Sequence, residues 1–241
     1  MRAPIAALCP GERALDGDAA HYLTRVLRLG VGASFVAFDP ARAVEADATV
    51  SRVDRAGAAV RVGALRAADV VALRRLTLVQ ALAKGDKCDA IVRDATELGA
   101  TSIIVAATAR SVVKLDAARA HARRGRWAKI AEEAARQCGR GDPPTVQGPL
   151  PWDQALAAVP ETDARFCLYE DATMRLGTLL PDALATDAAL AFAVGPEGGL
   201  APEEVQEAES AGWRVTSLGP FILRTETVAA VVLGAVRVTS R

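Results

Sequence analysis

The chain is poor in most of the residues that mark a specialised class. Only 4% of its 241 residues are aromatic, it has two histidines, and its four cysteines stand far apart at positions 9, 88, 138 and 167. With no CxxC pair and too few histidines to complete a ligand set, a zinc site is not expected; the thiols read as buried or idle groups in a reducing compartment. No apolar run reaches the ~20 residues of a membrane span. The first residues, MRAPIAALCPGERALDGD, lack the long apolar core of a signal peptide, so a cytoplasmic protein is expected. Two phosphate-binding fingerprints, GxxxxGK(S/T) and GxGxxG, are missing as well, which argues against a nucleotide-dependent α/β enzyme.

Net charge is a further absence, since 29 basic side chains balance 29 acidic ones. Its distribution is uneven. Residues 1–75 carry an excess of three positive charges, residues 110–140 an excess of six, and residues 151–241 a deficit of seven. A local basic face can bind a polyanion on a neutral protein. The plainer alternative is that 110–140 is the solvated face of a helix.

What is present is apolar mass, at 51% of the chain, enough for a sizeable core. The length suits one small domain and one larger one. The first ~75 residues hold short alternating segments, SFVAFD at 34–39, EADATVSRVD at 45–54 and AAVRVGAL at 58–65, after one helix through AAHYLTRVLRL that Asp18 can cap. Short strands with tight turns suggest a compact barrel. From residue 75 the pattern changes to apolar strands at 75–82, 101–108, 165–170, 188–195 and 213–219. Helices are expected at 85–99, 118–138, 152–159, 202–212 and 226–236. That alternation predicts a parallel sheet covered on both faces.

The sharpest local feature is AFAVGPEGGLAPEEV at 191–205, an apolar strand running into the loop Gly195-Pro196-Glu197-Gly198-Gly199 and then a helix. In open α/β sheets ligands bind beyond the carboxyl ends of strands, and glycines there admit a ligand to the backbone. Glu197, Glu203 and Glu204 would repel a phosphate, so a ligand without one, or one carrying positive charge, fits better. A second loop, LGPFILRTET at 218–227, follows the next strand. Ile222 and Leu223 suggest a buried or ligand-covering stretch. Thr225 can cap the last helix and Glu226 suits its first turn. Arg224 has no such structural reason and is the leading functional candidate.

Taken together, HYLTRVLRLGVG at 21–32, ATELGA at 95–100, EEAARQCGR at 132–140, GPEGGL and LGPFILRTET resemble the ribosomal RNA small subunit methyltransferase E family, a branch of the SPOUT methyltransferases. The resemblance implies an α/β protein: a PUA-like RNA-binding β-barrel over residues 1–72, then a SPOUT domain over 73–241 with a parallel sheet and a trefoil knot. It implies a homodimer that uses S-adenosylmethionine to give N3-methyluridine in 16S small-subunit ribosomal RNA, with the assembled 30S subunit as the expected substrate.

Matched residue by residue, Gly195, Glu197, Gly198 and Gly199 would form one wall of the cofactor pocket. Leu218, Gly219, Ile222, Leu223, Arg224 and Thr225 would form the other, and Leu168 and Glu170 would close it. Arg224 and Glu226 are the catalytic candidates, as the cation for a developing uracil anion and as a possible proton acceptor. RNA contact is expected from His21, Arg25, Arg28, Arg110, Lys114, Arg123, Arg124, Arg126, Arg136 and Arg140, whose guanidinium forks suit phosphate. Trp127 reads as a core residue rather than a base-stacking one. The chain departs from the family pattern at Ala109 and Arg136, both in the basic region. The alternatives are a member of the superfamily acting on another RNA, or an RNA-binding protein without catalysis.

Overall fold

The computed structural model describes residues 1–15, 17–55, 57–111 and 117–239. It divides into two units, Met1–Val71 with Ala135–Pro143, and Ala72–Ala134 with the chain from Pro144 onward.

The first unit is one six-stranded sheet. Strands β1 (Arg2–Pro4), β2 (Gly11–Leu15), β3 (Ser34–Asp39), β4 (Val44–Asp54) and β5 (Gly57–Val62) run in the order β1-β3-β4-β5-β2, and β6 (Arg66–Ala67) pairs with β4. All pairings are antiparallel except that of β1 with β3. Alternate residues such as Phe35, Ala37, Ala46, Ala48, Val60 and Val62 turn inward with Ile5, Leu8 and Leu23. This follows from the two-residue repeat of a strand.

A buried carboxylate is anchored in this sheet. The Glu45 carboxylate is fully buried and meets Arg2 at 2.7 Å and Arg66 at 3.0 Å, and it accepts the Asp69 N–H at 3.2 Å. Burial acts to raise its pKa. The Arg2 and Asp69 hydrogen bonds and the two guanidinium charges outweigh that and hold it below the usual value. The expected helix over residues 19–29, capped by Asp18, starts two residues earlier, as α1 (Gly17–His21), and continues as a π-helical turn over Tyr22–Val26. Asp18 therefore lies inside the first turn rather than capping it.

The second unit holds a six-stranded sheet that is parallel throughout, in the order β12-β10-β11-β7-β8-β9. Its chain order is β7 (Leu76–Ala81), α2 (Lys87–Glu97), β8 (Ser102–Ala107), α3 (Ala117–Cys138), β9 (Thr145–Pro151), α4 (Trp152–Ala157), β10 (Ala164–Leu168), α5 (Leu176–Leu184), β11 (Leu190–Val194), α6 (Pro202–Ser210), β12 (Arg214–Thr216) and α7 (Thr225–Thr239). Every residue of β7 and β11 is buried, as a strand covered on both faces requires.

The two faces differ in side-chain size. One presents Leu78, Ile103, Val105, Phe166, Leu190 and Phe192 to α2, α3, α5 and α7. The other presents Ala106, Cys167, Ala191 and Ala193, and these small residues make room for Trp152, Trp213 and α6. Close packing of this kind needs volume on one side matched by its lack on the other. Trp127 is 1% exposed in the first of these clusters, and its Nε1 donates to Asp89 at 3.0 Å, so it is a core residue. Among the described residues no helix is long and apolar enough to cross a membrane.

Candidate functional site

Strands β12, β10 and β11 are neighbours, and the loops after their carboxyl ends converge on a cavity of about 400 Å³. That size is within the range of small-molecule sites. From β10 come Leu168, Tyr169 and Glu170; from β11, Val194, Gly195, Glu197 and Gly199; from β12, Leu218, Gly219, Ile222, Leu223, Arg224 and Thr225. Every expected pocket residue is therefore brought together except Gly198, which faces away toward Arg110: a Cβ built there would meet the Arg110 side chain at 3.3 Å. Lys87 and Phe221 also line the cavity and were not anticipated.

The loops are held by a specific set of bonds. Gly199 has φ +71°, and a Cβ there would come within 2.8 Å of Glu170 Oε1. Glycine is favoured by that left-handed conformation, and with any other residue the Glu170 carboxylate would have to shift. The Ala109 N–H and the Ala201 N–H both donate to the Glu204 carboxylate, at 2.7 and 2.8 Å, so that side chain ties the start of α6 to the loop after β8. The loops after β10 and β12 are laced by the Tyr169 N–H to the Thr216 carbonyl at 2.9 Å and the Leu176 N–H to the Ser217 carbonyl at 2.9 Å.

The second loop differs from expectation in two respects. Thr225 does not cap α7. Its hydroxyl donates to the Gly195 carbonyl and accepts from Gln80 Nε2, because the helix already begins at Thr225 and its side chain faces the glycine loop. Ile222 is not buried: it and Phe221 are 86% and 81% exposed at the cavity mouth, which leaves the ligand-covering reading. Arg224 is exposed beside them, and among the described residues no carboxylate pairs with it.

Charge at the cavity is mixed. Lys87 Nζ lies 3.2 Å from Glu197 and 3.4 Å from Glu226. Glu197 raises the Lys87 pKa most, desolvation opposes it, and Glu226 adds to the rise. For Glu197 burial acts upward, but its own N–H, the Lys84 N–H and Lys87 together hold the carboxyl below its usual value. Glu226 is thus engaged in an ion pair rather than standing free in the first turn.

Gln80 was also missed at the sequence level. It is 1% exposed in a strand that is otherwise almost wholly apolar, and a buried amide there signals a required partner.

The basic residues divide. His21, Arg25, Arg28, Arg110, Arg124 and Arg126 are exposed, and Arg123 and Arg136 are half-buried. Arg126 forms an ion pair with Asp89, and Arg110 donates to the Gly198 carbonyl at 3.0 Å. Arg140 corrects the expectation for a surface phosphate ligand: it is 5% exposed, and its guanidinium grips Asp142 with two bonds of 3.0 Å. Lys114 lies outside the described residues.

Comparison with known proteins identifies the family. Residues 72–237 match the model of an RNA methyltransferase domain, and residues 15–62 that of an RNA methyltransferase PUA domain. The ribosomal RNA small subunit methyltransferase E of Mycobacterium bovis is 37% identical over 233 residues, covering 94% of this chain and 87% of its own. That of Synechocystis is 34% identical, over 90% of this chain and 69% of its own. The crystal structure of the Neisseria gonorrhoeae ribosomal RNA small subunit methyltransferase E, bound to S-adenosyl methionine, superposes with a TM-score of 0.82 at 27% identity, over 99% of this chain and 97% of that one. Both matched stretches and the near full-length relatives point to one family: the chain belongs to the ribosomal RNA small subunit methyltransferase E family.

Proposed function

We propose that this protein methylates N3 of a uridine in 16S small-subunit ribosomal RNA, with S-adenosylmethionine as methyl donor and the assembled 30S subunit as substrate. The observation that carries the reading is the cavity at the ends of β10, β11 and β12. Its apolar side chains Leu168, Val194, Leu218, Leu223 and Val228 suit an adenine ring. Its carboxylates Glu170 and Glu197 suit a cationic sulfonium better than a phosphate, and the Gly199 backbone offers close approach where a Cβ would collide. The residues present therefore fit this cofactor. The bound cofactor seen in the Neisseria relative supports the same reading.

When bound, the cofactor supplies an electrophilic methyl group. The chain's part is to hold a uracil ring beside it in line, which is the main source of acceleration in such a transfer. Arg224 sits at the mouth with no carboxylate partner among the described residues, and neutralises charge that builds on the uracil carbonyl oxygens as N3 loses its proton. Glu226 is the candidate proton acceptor. The RNA lies across His21, Arg25 and Arg28 of a PUA-like barrel over residues 1–72, and across Arg110, Lys114, Arg123, Arg124, Arg126 and Arg136 of the catalytic domain over 73–241. The reading includes the family's trefoil knot, a cytoplasmic location, and a homodimer; Val231 and Val238, 43% and 81% exposed on α7, are apolar surface that a second copy would cover.

The test is methyl transfer from labelled S-adenosylmethionine to small subunits from cells lacking the protein, with nucleoside analysis. Label in N3-methyluridine supports the proposal, and label in another nucleoside rejects the N3 specificity. Affinity for the subunit should fall steeply with salt if the arginines meet phosphates; a flat response would remove them from the interface.

A further inference from the structure

The two walls of the cavity are joined by a residue from neither. Lys87 opens α2, next to β7, and its ammonium lies within 3.4 Å of two carboxylates. One, Glu197, belongs to the glycine loop after β11. The other, Glu226, belongs to the first turn of α7. The same chain segment takes a second hold on the loop, because the Lys84 N–H donates to Glu197 Oε1 at 3.0 Å.

We infer that Lys87 is a positioning residue of the pocket, an ionic latch that fixes the glycine loop against α7 at the spacing the ligand requires. The inference rests on the reading of the cavity as an S-adenosylmethionine site. Its physical basis is the sharing of one cation between two anions. The three side chains are only 36%, 23% and 27% exposed, so water screens them incompletely. Without the ammonium the two carboxylates face each other as like charges, and the loop and helix are pushed apart. Glu170 and Arg224 line the same cavity from the other loops, but among the described residues neither pairs with Lys87.

A simple ion pair at this exposure contributes little to global stability. The latch therefore acts on the spacing of the glycine loop and the start of α7 rather than on the fold, and ligand affinity should respond more than overall stability does. It also gives Glu226 a role in holding the pocket whether or not it accepts a proton.

The test compares Lys87→Met and Lys87→Arg with the unaltered chain in two assays. In the ligand-free protein, amide hydrogen exchange is followed over residues 195–200 and 225–229. In the second assay the S-adenosylmethionine Kd is measured by calorimetry, alongside kcat and KM. The Met variant should exchange faster in both segments and bind the cofactor about tenfold more weakly. The Arg variant should recover both properties. Faster exchange in only one segment, or in neither, overturns the latch. An unchanged Kd in the Met variant also overturns it, whatever happens to kcat. If the unaltered chain does not bind S-adenosylmethionine, the methyltransferase reading falls, and the exchange data still decide the latch.

Discussion

The Thr225 hydroxyl donates a hydrogen bond of 2.6 Å to the carbonyl oxygen of Gly195, while the hydroxyl oxygen itself accepts one of 2.9 Å from Gln80 Nε2. Three elements, β7, the glycine loop and α7, thus meet at one buried atom. Thr225→Val keeps the shape and removes both bonds, leaving buried polar groups unpaired. It should cost about 1–3 kcal/mol in urea denaturation, and Thr225→Ser should recover most of that. An unchanged midpoint in the Val variant would mean that Gln80 and Gly195 find other partners.

Gly199→Ala places a methyl group where φ is +71° and Glu170 Oε1 is 2.8 Å away. The left-handed backbone alone should cost about 1–2 kcal/mol, and displacement of Glu170 should weaken cofactor binding. Gly198→Ala serves as the comparison, since the nearest atoms to its methyl group all belong to Arg110. Equal affinities for the two variants would show that Glu170 does not shape the site.

Arg224→Ala should lower kcat by about a hundredfold, the usual loss when one donor to a developing anion is removed, with cofactor Kd nearly unchanged. Arg224→Lys should restore only part of the rate, because an ammonium lacks the planar fork. A loss of equal size in cofactor binding would reassign Arg224 to binding.

The Glu45 carboxyl is held below its usual value near 4.5, so its ionised form stabilises the folded first unit. That contribution is complete above the ordinary carboxylate range and is lost as pH falls through the lowered value. Glu45→Gln should be less stable than the unaltered protein at pH 7, by roughly 2 kcal/mol given partly exposed partners. The gap should close progressively below about pH 4.5. A gap constant with pH would trace the effect to packing.

Thiol chemistry separates the cysteines. Burial pushes the Cys167 thiol up to about 12 and raises that of Cys88, whereas Cys9 and Cys138 are exposed. At pH 8 an alkylating reagent should modify Cys9 and Cys138 in the native protein, and the buried pair only after denaturation. Prompt labelling of Cys167, read by peptide mapping, would show that β10 opens readily.

Strands with near-continuous apolar character were legible in the sequence, as were the helices between them, because burial on both faces writes itself into every position of β7 and β11. The strands and helix that were missed carry contrary local signals. β9, TVQGPLP, holds one glycine and two prolines and is tolerated because it lies at the sheet edge. α5, LGTLLPDAL, contains Gly177 and Pro181 and is stabilised by packing Leu176 and Leu180 into the core. β1 is three residues long, too short for any period. The two loops of the cavity were readable because each is a contiguous stretch. Lys87 and Gln80 were not, since each acquires its meaning from a partner more than a hundred positions away. Arg140 was misread for a different reason: its partner Asp142 is only two positions away, but charge counts along a chain do not say which way a side chain turns.

The parallel sheet has a consequence for how the protein comes into being. Its central pairing sets Leu76 beside Leu190 and Gln80 beside Val194, so the middle of the sheet cannot close until most of the second unit has been made. Contacts so distant in sequence close slowly, because the entropy of a long loop must be met first. Throughout that interval β7 carries an open, apolar edge. The yield of native protein in a cell is thus decided by a race between the arrival of β11 and the capture of that edge by another chain, a race that chaperones should tilt and that faster synthesis of residues 108–190 should help to win.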